Sequence, residues 1–165
     1  ISRVGLFRDI LKLKLFGNKY KKEADRIGTA IHEQIFDAMK VDEKSAGANL
    51  KSAFFCGYMF GFVKAGFIAQ GLSGDQADEQ VNANMQYICD GVIPGRLWET
   101  FSSQLKYMES VKQLLELDEN PDMDEGGAAG LWDGSNLITS GTRASRTNLK
   151  SYLLGEKLDY LEPKI

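Results

Sequence analysis

Five small residues recur at intervals of four within one aromatic-rich stretch of the chain, AFFCGYMFGFVKAGFIA (residues 53–69). Residues four apart lie along a single ridge of an α-helix, so small side chains there leave a shallow groove about four turns long. A second helix can enter this groove and approach closer than the usual separation of about 8–10 Å between axes. The residues predicted to pack in this way are Ala53, Gly57, Gly61, Ala65 and Ala69.

The residues around these small positions are mostly aromatic, and a helix that is apolar on nearly every side belongs inside a protein. Each glycine inside a helix costs about 1 kcal/mol relative to alanine, and close packing can offset that cost. We therefore expect residues 43–71 to form a central helix. A membrane hairpin is the alternative, since small residues four apart also associate transmembrane helices, but Lys64 in the middle of the stretch disfavours insertion.

Apolar residues elsewhere recur at spacings of three and four, which is typical of amphipathic helices, and none alternate over a strand length. Asp42 is expected to cap one helix, and Ser73 with Gln76 to form a capping box at another. Residues 118–144 contain Pro121 and many Gly, Ser and Asn residues, and we expect an irregular acidic and glycine-rich segment there. The predicted helices cover residues 3–16, 19–40, 43–71, 74–90, 94–117 and 145–158.

These patterns predict an all-α fold, a single-domain bundle of five or six helices spanning residues 1–165. A chain of 165 residues buries enough surface to fold without a disulfide or a metal. Cys56 and Cys89 are expected to be small buried apolar residues, with one bridge between them left open. No compartment follows from the sequence, and a cytoplasmic one is the default expectation.

Charge is unevenly distributed along the chain. Residues 1–26 carry eight basic and three acidic groups, whereas residues 116–125 carry six acidic groups and no basic one. Each cluster is either solvated surface or a binding surface. Trp132 is a candidate anchor because exposed tryptophans often bind partners. The predicted partner-binding residues are Lys12, Lys14, Lys19, Lys21, Lys22, Asp122, Asp124 and Trp132.

No catalytic, metal-binding or cofactor-binding motif is complete in the sequence. His32 is the one histidine, and no HExxH pattern surrounds it. The stretch DENPDMDEGG (118–127) resembles a calcium loop, but Met123 takes the place of the required glycine and Ala129 that of the final glutamate. The stretch GGAAGLWDGSN (126–136) lacks the Lys-Ser/Thr of a phosphate-binding loop. We therefore predict no catalytic residue, no metal and no cofactor.

The resulting expectation is a soluble, non-catalytic interaction module of the adaptor, chaperone, immunity or effector type, binding a protein partner through a helical face. Nucleic acid is disfavoured by a pI near 5.3 and the lack of a recognition motif. One alternative is a peripheral membrane protein that uses its basic amphipathic residues 3–22 on an anionic surface. Another is a metal-dependent helical hydrolase that assembles Glu33, Asp37, Asp75, Asp78, Glu79 and Asp90. A homodimer through the aromatic helix is also left open.

Overall fold

A computed structural model of the protein describes residues 19–92, 97–115, 120–140 and 147–158. Regular structure in these residues is entirely helical, which confirms the predicted all-α class. The predicted N-terminal helix at residues 3–16 lies outside the described residues. Seven helices are described: α1 (Lys21–Val41), α2 (Glu43–Asn49), α3 (Ala53–Ala69), α4 (Gly74–Val92), α5 (Leu97–Leu114), α6 (Pro121–Ser140) and α7 (Asn148–Leu153).

Short-range hydrogen bonds define where several helices begin. The Asp42 side chain accepts from the Ser45 amide at 3.0 Å to cap α2. Ser73 and Gln76 form the predicted capping box at α4, each side chain accepting from the other residue's amide. At the end of α3 the chain reverses through Gly71, whose φ of 96° lies in the left-handed region that suits glycine.

α3 is the central helix, as predicted: twelve of its seventeen residues are buried. The prediction of one unbroken helix over residues 43–71 is wrong, because α2 and α3 are separate and bent by 78°. Ser52 causes the break. Its backbone is extended, with φ −98° and ψ 158°, and its hydroxyl accepts from the Phe55 amide at 3.1 Å. The serine thus starts a new helix instead of continuing the old one.

The prediction of an irregular segment at residues 118–144 is also wrong, because most of these residues form α6. Pro121 occupies the first helical position, where its missing N–H costs nothing. The Asn120 side chain caps the same end by accepting from the Met123 amide at 3.2 Å. The glycines that argue against a helix in the sequence lie against α3.

α7 and α1 close the bundle around α3. The apolar stripe of α1, predicted from its spacing, is buried from Ala24 to Ala38. Tyr152 of α7 stacks on Phe54 with ring centroids 3.8 Å apart, and the Lys150 ammonium pairs with Asp37 of α1 at 3.2 Å. These contacts join the end of the described chain to its beginning.

Candidate functional site: an apolar groove beside a glycine contact

Two glycines of α3 bring its backbone into direct contact with that of α6. A Cβ atom on Gly57 would overlap the carbonyl oxygen of Met123, and one on Gly61 would overlap that of Gly127. The same Cβ on Gly61 would lie 3.0 Å from the Leu131 nitrogen. Real Cβ atoms do not approach backbone this closely, so only glycine fits at either position.

The contact is reciprocal, because α6 presents its own glycines at intervals of four. A Cβ on Gly126 would overlap the carbonyl oxygen of Phe54, one on Gly130 that of Tyr58, and one on Gly134 would lie 2.8 Å from that of Phe62. Both series advance by four residues in the same direction, so α3 and α6 run parallel. Backbones this close are in the geometry of Cα–H···O contacts. The Gly126-x-x-x-Gly130-x-x-x-Gly134 spacing is visible in the sequence, and it is the one pattern within residues 118–144 that indicates such a helix contact.

The predicted row of small residues on α3 meets α6 along its middle. Gly57 and Gly61 lie in the contact, and Ala65 borders Gly134. Ala53 is half-buried at the start of the helix and Ala69 is exposed at its end.

A groove of about 590 Å³ opens between α3, α4 and α6, along one side of this contact. Its buried lining comes from Gly57, Gly61 and Val81. Its half-buried lining is largely apolar and includes Phe60 and Met123. We call this feature the α3/α4/α6 groove.

The rim of the α3/α4/α6 groove is mostly polar and charged. Lys64 of α3 and Asp78 of α4 form an ion pair at 2.9 Å, with side chains 37% and 57% exposed. Asp124 of α6 is an exposed carboxylate on the rim. Leu131 is also on the rim and is 43% exposed, so an apolar side chain is offered to any partner that enters.

A buried polar cluster holds α6 in register against α3 and α7. The Tyr58 hydroxyl donates to Asp133 at 2.7 Å, and the Asn148 side chain donates to the other carboxylate oxygen at 3.0 Å. The Leu149 amide adds a third hydrogen bond to Asp133, at 3.2 Å. Burial raises the pKa of Asp133 above its ordinary value, although these hydrogen bonds oppose the shift. Burial, followed by the charge of Asp133, raises the pKa of Tyr58 as well.

The predicted partner-binding residues that the structure describes lie around the start of α1 and on α6. Lys19, Lys21 and Lys22 are exposed around the start of α1, while Lys12 and Lys14 lie outside the described residues. Asp122 and Asp124 are exposed in the first turn of α6, and of these two Asp124 lines the α3/α4/α6 groove. Trp132 is 41% exposed on α6 and is not part of the groove lining.

Cys56 and Cys89 are both free, buried thiols. Burial raises the pKa of Cys56 to about 11 and that of Cys89 to about 12, so both are protonated at neutral pH.

The geometry also bears on two alternatives, a metal-dependent hydrolase and a membrane hairpin. Within the described ranges, no group of three or more His, Cys, Asp or Glu side chains is arranged to hold a metal ion. Asp78 and Asp37, two of the predicted acidic residues, are instead ion-paired with lysines. No single described helix is long and apolar enough to cross a membrane. The bent pair of α2 and α3 reaches that length and composition, and most of α3 is buried within the protein.

Comparison with known proteins found no match: no family model, no curated protein and no solved structure is similar to this chain.

Proposed function

We propose that this protein is a non-catalytic interaction module that binds a protein partner through the α3/α4/α6 groove. The observation that carries the proposal is the groove itself, an open channel between three helices with a largely apolar buried and half-buried lining. A partner helix can place its apolar face in a groove of this kind.

The lining supports binding because several of its apolar side chains are incompletely buried. Leu131 is 43% exposed on the rim, and Phe60 and Met123 are half-buried in the lining. Contiguous apolar surface with a polar rim is typical of interaction sites.

The buried titratable groups support binding rather than reaction chemistry at the groove. Asp133, Tyr58, Cys56 and Cys89 have raised pKa values because they are buried in the core. None of these four lines the groove, and the carboxylate of Asp133 is occupied by three hydrogen bonds that hold helices together.

The test is a groove-filling substitution with a matched control. Ala128 is exposed and lines the groove, whereas Ala83 is exposed on α4 and does not line it. Tagged wild-type protein, Ala128→Trp and Ala83→Trp are used to capture proteins from the native source. A captured protein, identified by mass spectrometry, is then purified and titrated against all three chains.

We expect 1:1 binding to the wild type and to Ala83→Trp, and at least about tenfold weaker binding to Ala128→Trp, which corresponds to 1.4 kcal/mol. Circular dichroism and thermal unfolding of each variant establish that its fold is intact. The proposal is wrong if the partner binds Ala128→Trp as tightly as it binds the wild type.

A further inference from the structure

We infer that the segment bound in the α3/α4/α6 groove is a cationic amphipathic helix. This inference rests on the proposed function and adds the chemical class of the partner. It combines two independent observations, the apolar lining of the groove and the charge of the helices that build it.

The three helices that form the groove are strongly acidic together. α4 carries four carboxylates and no basic residue, and α6 likewise carries four and none. α3 contributes one charge, that of Lys64. Asp133 is buried within its hydrogen bonds. Six of the other seven carboxylates on α4 and α6 are exposed, namely Asp75, Asp78, Glu79, Asp90, Asp122 and Asp124. A surface of one sign attracts a partner of the other and sets its orientation.

The negative charge is unevenly neutralised along the groove. Asp78 is already paired with Lys64 at one end. Asp124 lines the groove close to the start of α6, where Asp122 is also exposed. We therefore expect the partner's basic residues to lie beside Asp124, and its apolar residues to contact Phe60, Met123 and Leu131.

The dimensions of the groove match a helix better than an extended peptide. Its α3 side extends from Gly57 to Lys64, which is about two helical turns, or roughly 10 Å. Apolar residues at i, i+3, i+4 and i+7 of a partner helix cover that length. An extended peptide gains affinity from the free edge of a sheet, and the helices that form this groove offer none.

The same charges disfavour an anionic membrane as the occupant. Lipid headgroups of negative charge would meet Asp124 and the acidic surfaces of α4 and α6, which repel them. A second copy of this chain is a different occupant, and the experiment below distinguishes it.

The experiment uses the full chain and two fluorescent peptides of about five helical turns. One peptide contains leucine at helical spacing and lysine elsewhere, and the other replaces every lysine with glutamate. Fluorescence anisotropy measures binding of each peptide to the wild type, Asp124→Lys, Glu156→Lys and Ala128→Trp. Glu156 is exposed beyond α7 and does not line the groove, so Glu156→Lys controls for the change in net charge.

The expected result is 1:1 binding of the lysine peptide, at least about tenfold tighter than that of the glutamate peptide. Asp124→Lys should weaken it by about fivefold, and raising the salt from about 50 mM to about 300 mM should weaken it too. Glu156→Lys should leave it unchanged, and Ala128→Trp should abolish it.

Four results would overturn the inference in distinguishable ways. Equal or tighter binding of the glutamate peptide, still blocked by Ala128→Trp, would leave groove binding intact and show the cationic class to be wrong. If neither peptide binds, the cationic class is wrong. If a peptide binds and Ala128→Trp does not alter its affinity, both the cationic class and the groove as the binding site are contradicted. Light scattering that shows a dimer, converted to a monomer by Ala128→Trp, would assign the groove to a second copy.

Discussion

At Gly61 the missing side chain is what allows two helix backbones to meet. Glycine is a poor helix former, so at an exposed helical site its replacement by alanine stabilises a protein by about 0.5–1 kcal/mol. At Gly61 the added methyl group would overlap the carbonyl oxygen of Gly127, which belongs to backbone and cannot rotate away. The steric effect therefore outweighs the gain in helix propensity.

We predict that Gly61→Ala lowers the free energy of unfolding by about 2 kcal/mol, within the range for overpacked sites. Gly47→Ala is the matched control, because Gly47 is also helical and a Cβ there would meet nothing within 4 Å. We expect Gly47→Ala to raise the free energy of unfolding. Urea denaturation at neutral pH measures both, and equal stabilisation by the two substitutions would show that α3 and α6 are not in contact at Gly61.

Asp133 stabilises the fold through its hydrogen bonds, although burial of its charge opposes folding. It accepts hydrogen bonds from α3 and α7 while its own charge is withdrawn from water. Because burial raises its pKa in the folded state, the folded protein binds the Asp133 proton more tightly than the unfolded chain does. The stability that comes from this tighter proton binding is therefore fully present below the ordinary pKa of about 3.9. It is lost as pH rises through the raised pKa of the folded protein.

We predict that the free energy of unfolding of the wild type, minus that of Asp133→Asn, decreases as pH rises above about 4 and then levels off. Asparagine does not titrate, so the difference isolates this one carboxyl group. Tyr58→Phe, which removes the 2.7 Å hydrogen bond, should cost about 1–3 kcal/mol. A difference that increases with pH would mean that the pKa of Asp133 is lowered in the folded state.

At the scale of the helix, α6 shows why part of this fold was predictable and part was not. The start of α4, the stripe of α1 and the central place of α3 follow from capping residues and apolar spacing, which act over a few neighbouring residues. The glycines of α6, at about 1 kcal/mol each, argue against a helix when the segment is considered alone. The contact with α3 offsets this free-energy cost. Because that contact joins segments far apart in the sequence, local sequence patterns do not predict it.

The groove could not be predicted for the same reason. The acidic run at residues 116–125 predicts Asp124 as a binding residue. Its neighbours across the groove, however, belong to two other helices, α3 and α4. The ion pair between Lys64 and Asp78 joins α3 to α4 in the same way. The spacing of Gly126, Gly130 and Gly134 was the one available clue, and it matches the spacing on α3.

We predict that the amides of α6 between Gly126 and Gly134 exchange with solvent as slowly as those of α3, because the two helices are stable only together. Hydrogen exchange with mass spectrometry measures this over minutes to hours. In Gly61→Ala both segments should lose protection to a similar extent. Rapid exchange across residues 126–134 in the wild type would mean that this segment is irregular, as the sequence alone predicts.

Over the whole molecule, the two buried thiols report how often the core opens. Cys56 on α3 and Cys89 on α4 have pKa values of about 11 and about 12, so neither reacts appreciably while folded. We predict that a thiol reagent at pH 8 labels both at one slow rate, set by the population of opened molecules. Gly61→Ala should accelerate labelling about tenfold for each 1.4 kcal/mol of lost stability. Labelling of either cysteine within seconds would place it outside the core.

The close approach of α3 and α6 underlies the fold and positions two of the three helices that line the proposed binding groove. Nuclear Overhauser effects measure it directly in solution. The account predicts strong cross-peaks from the Gly61 Hα protons to the Leu131 amide proton and from the Gly57 Hα protons to the Gly127 amide proton, since the Cβ positions at these glycines lie 3.0 Å from those nitrogens. Absence of both cross-peaks in a fully assigned spectrum, or a pattern that pairs Gly57 with Leu131 as antiparallel helices would, contradicts it.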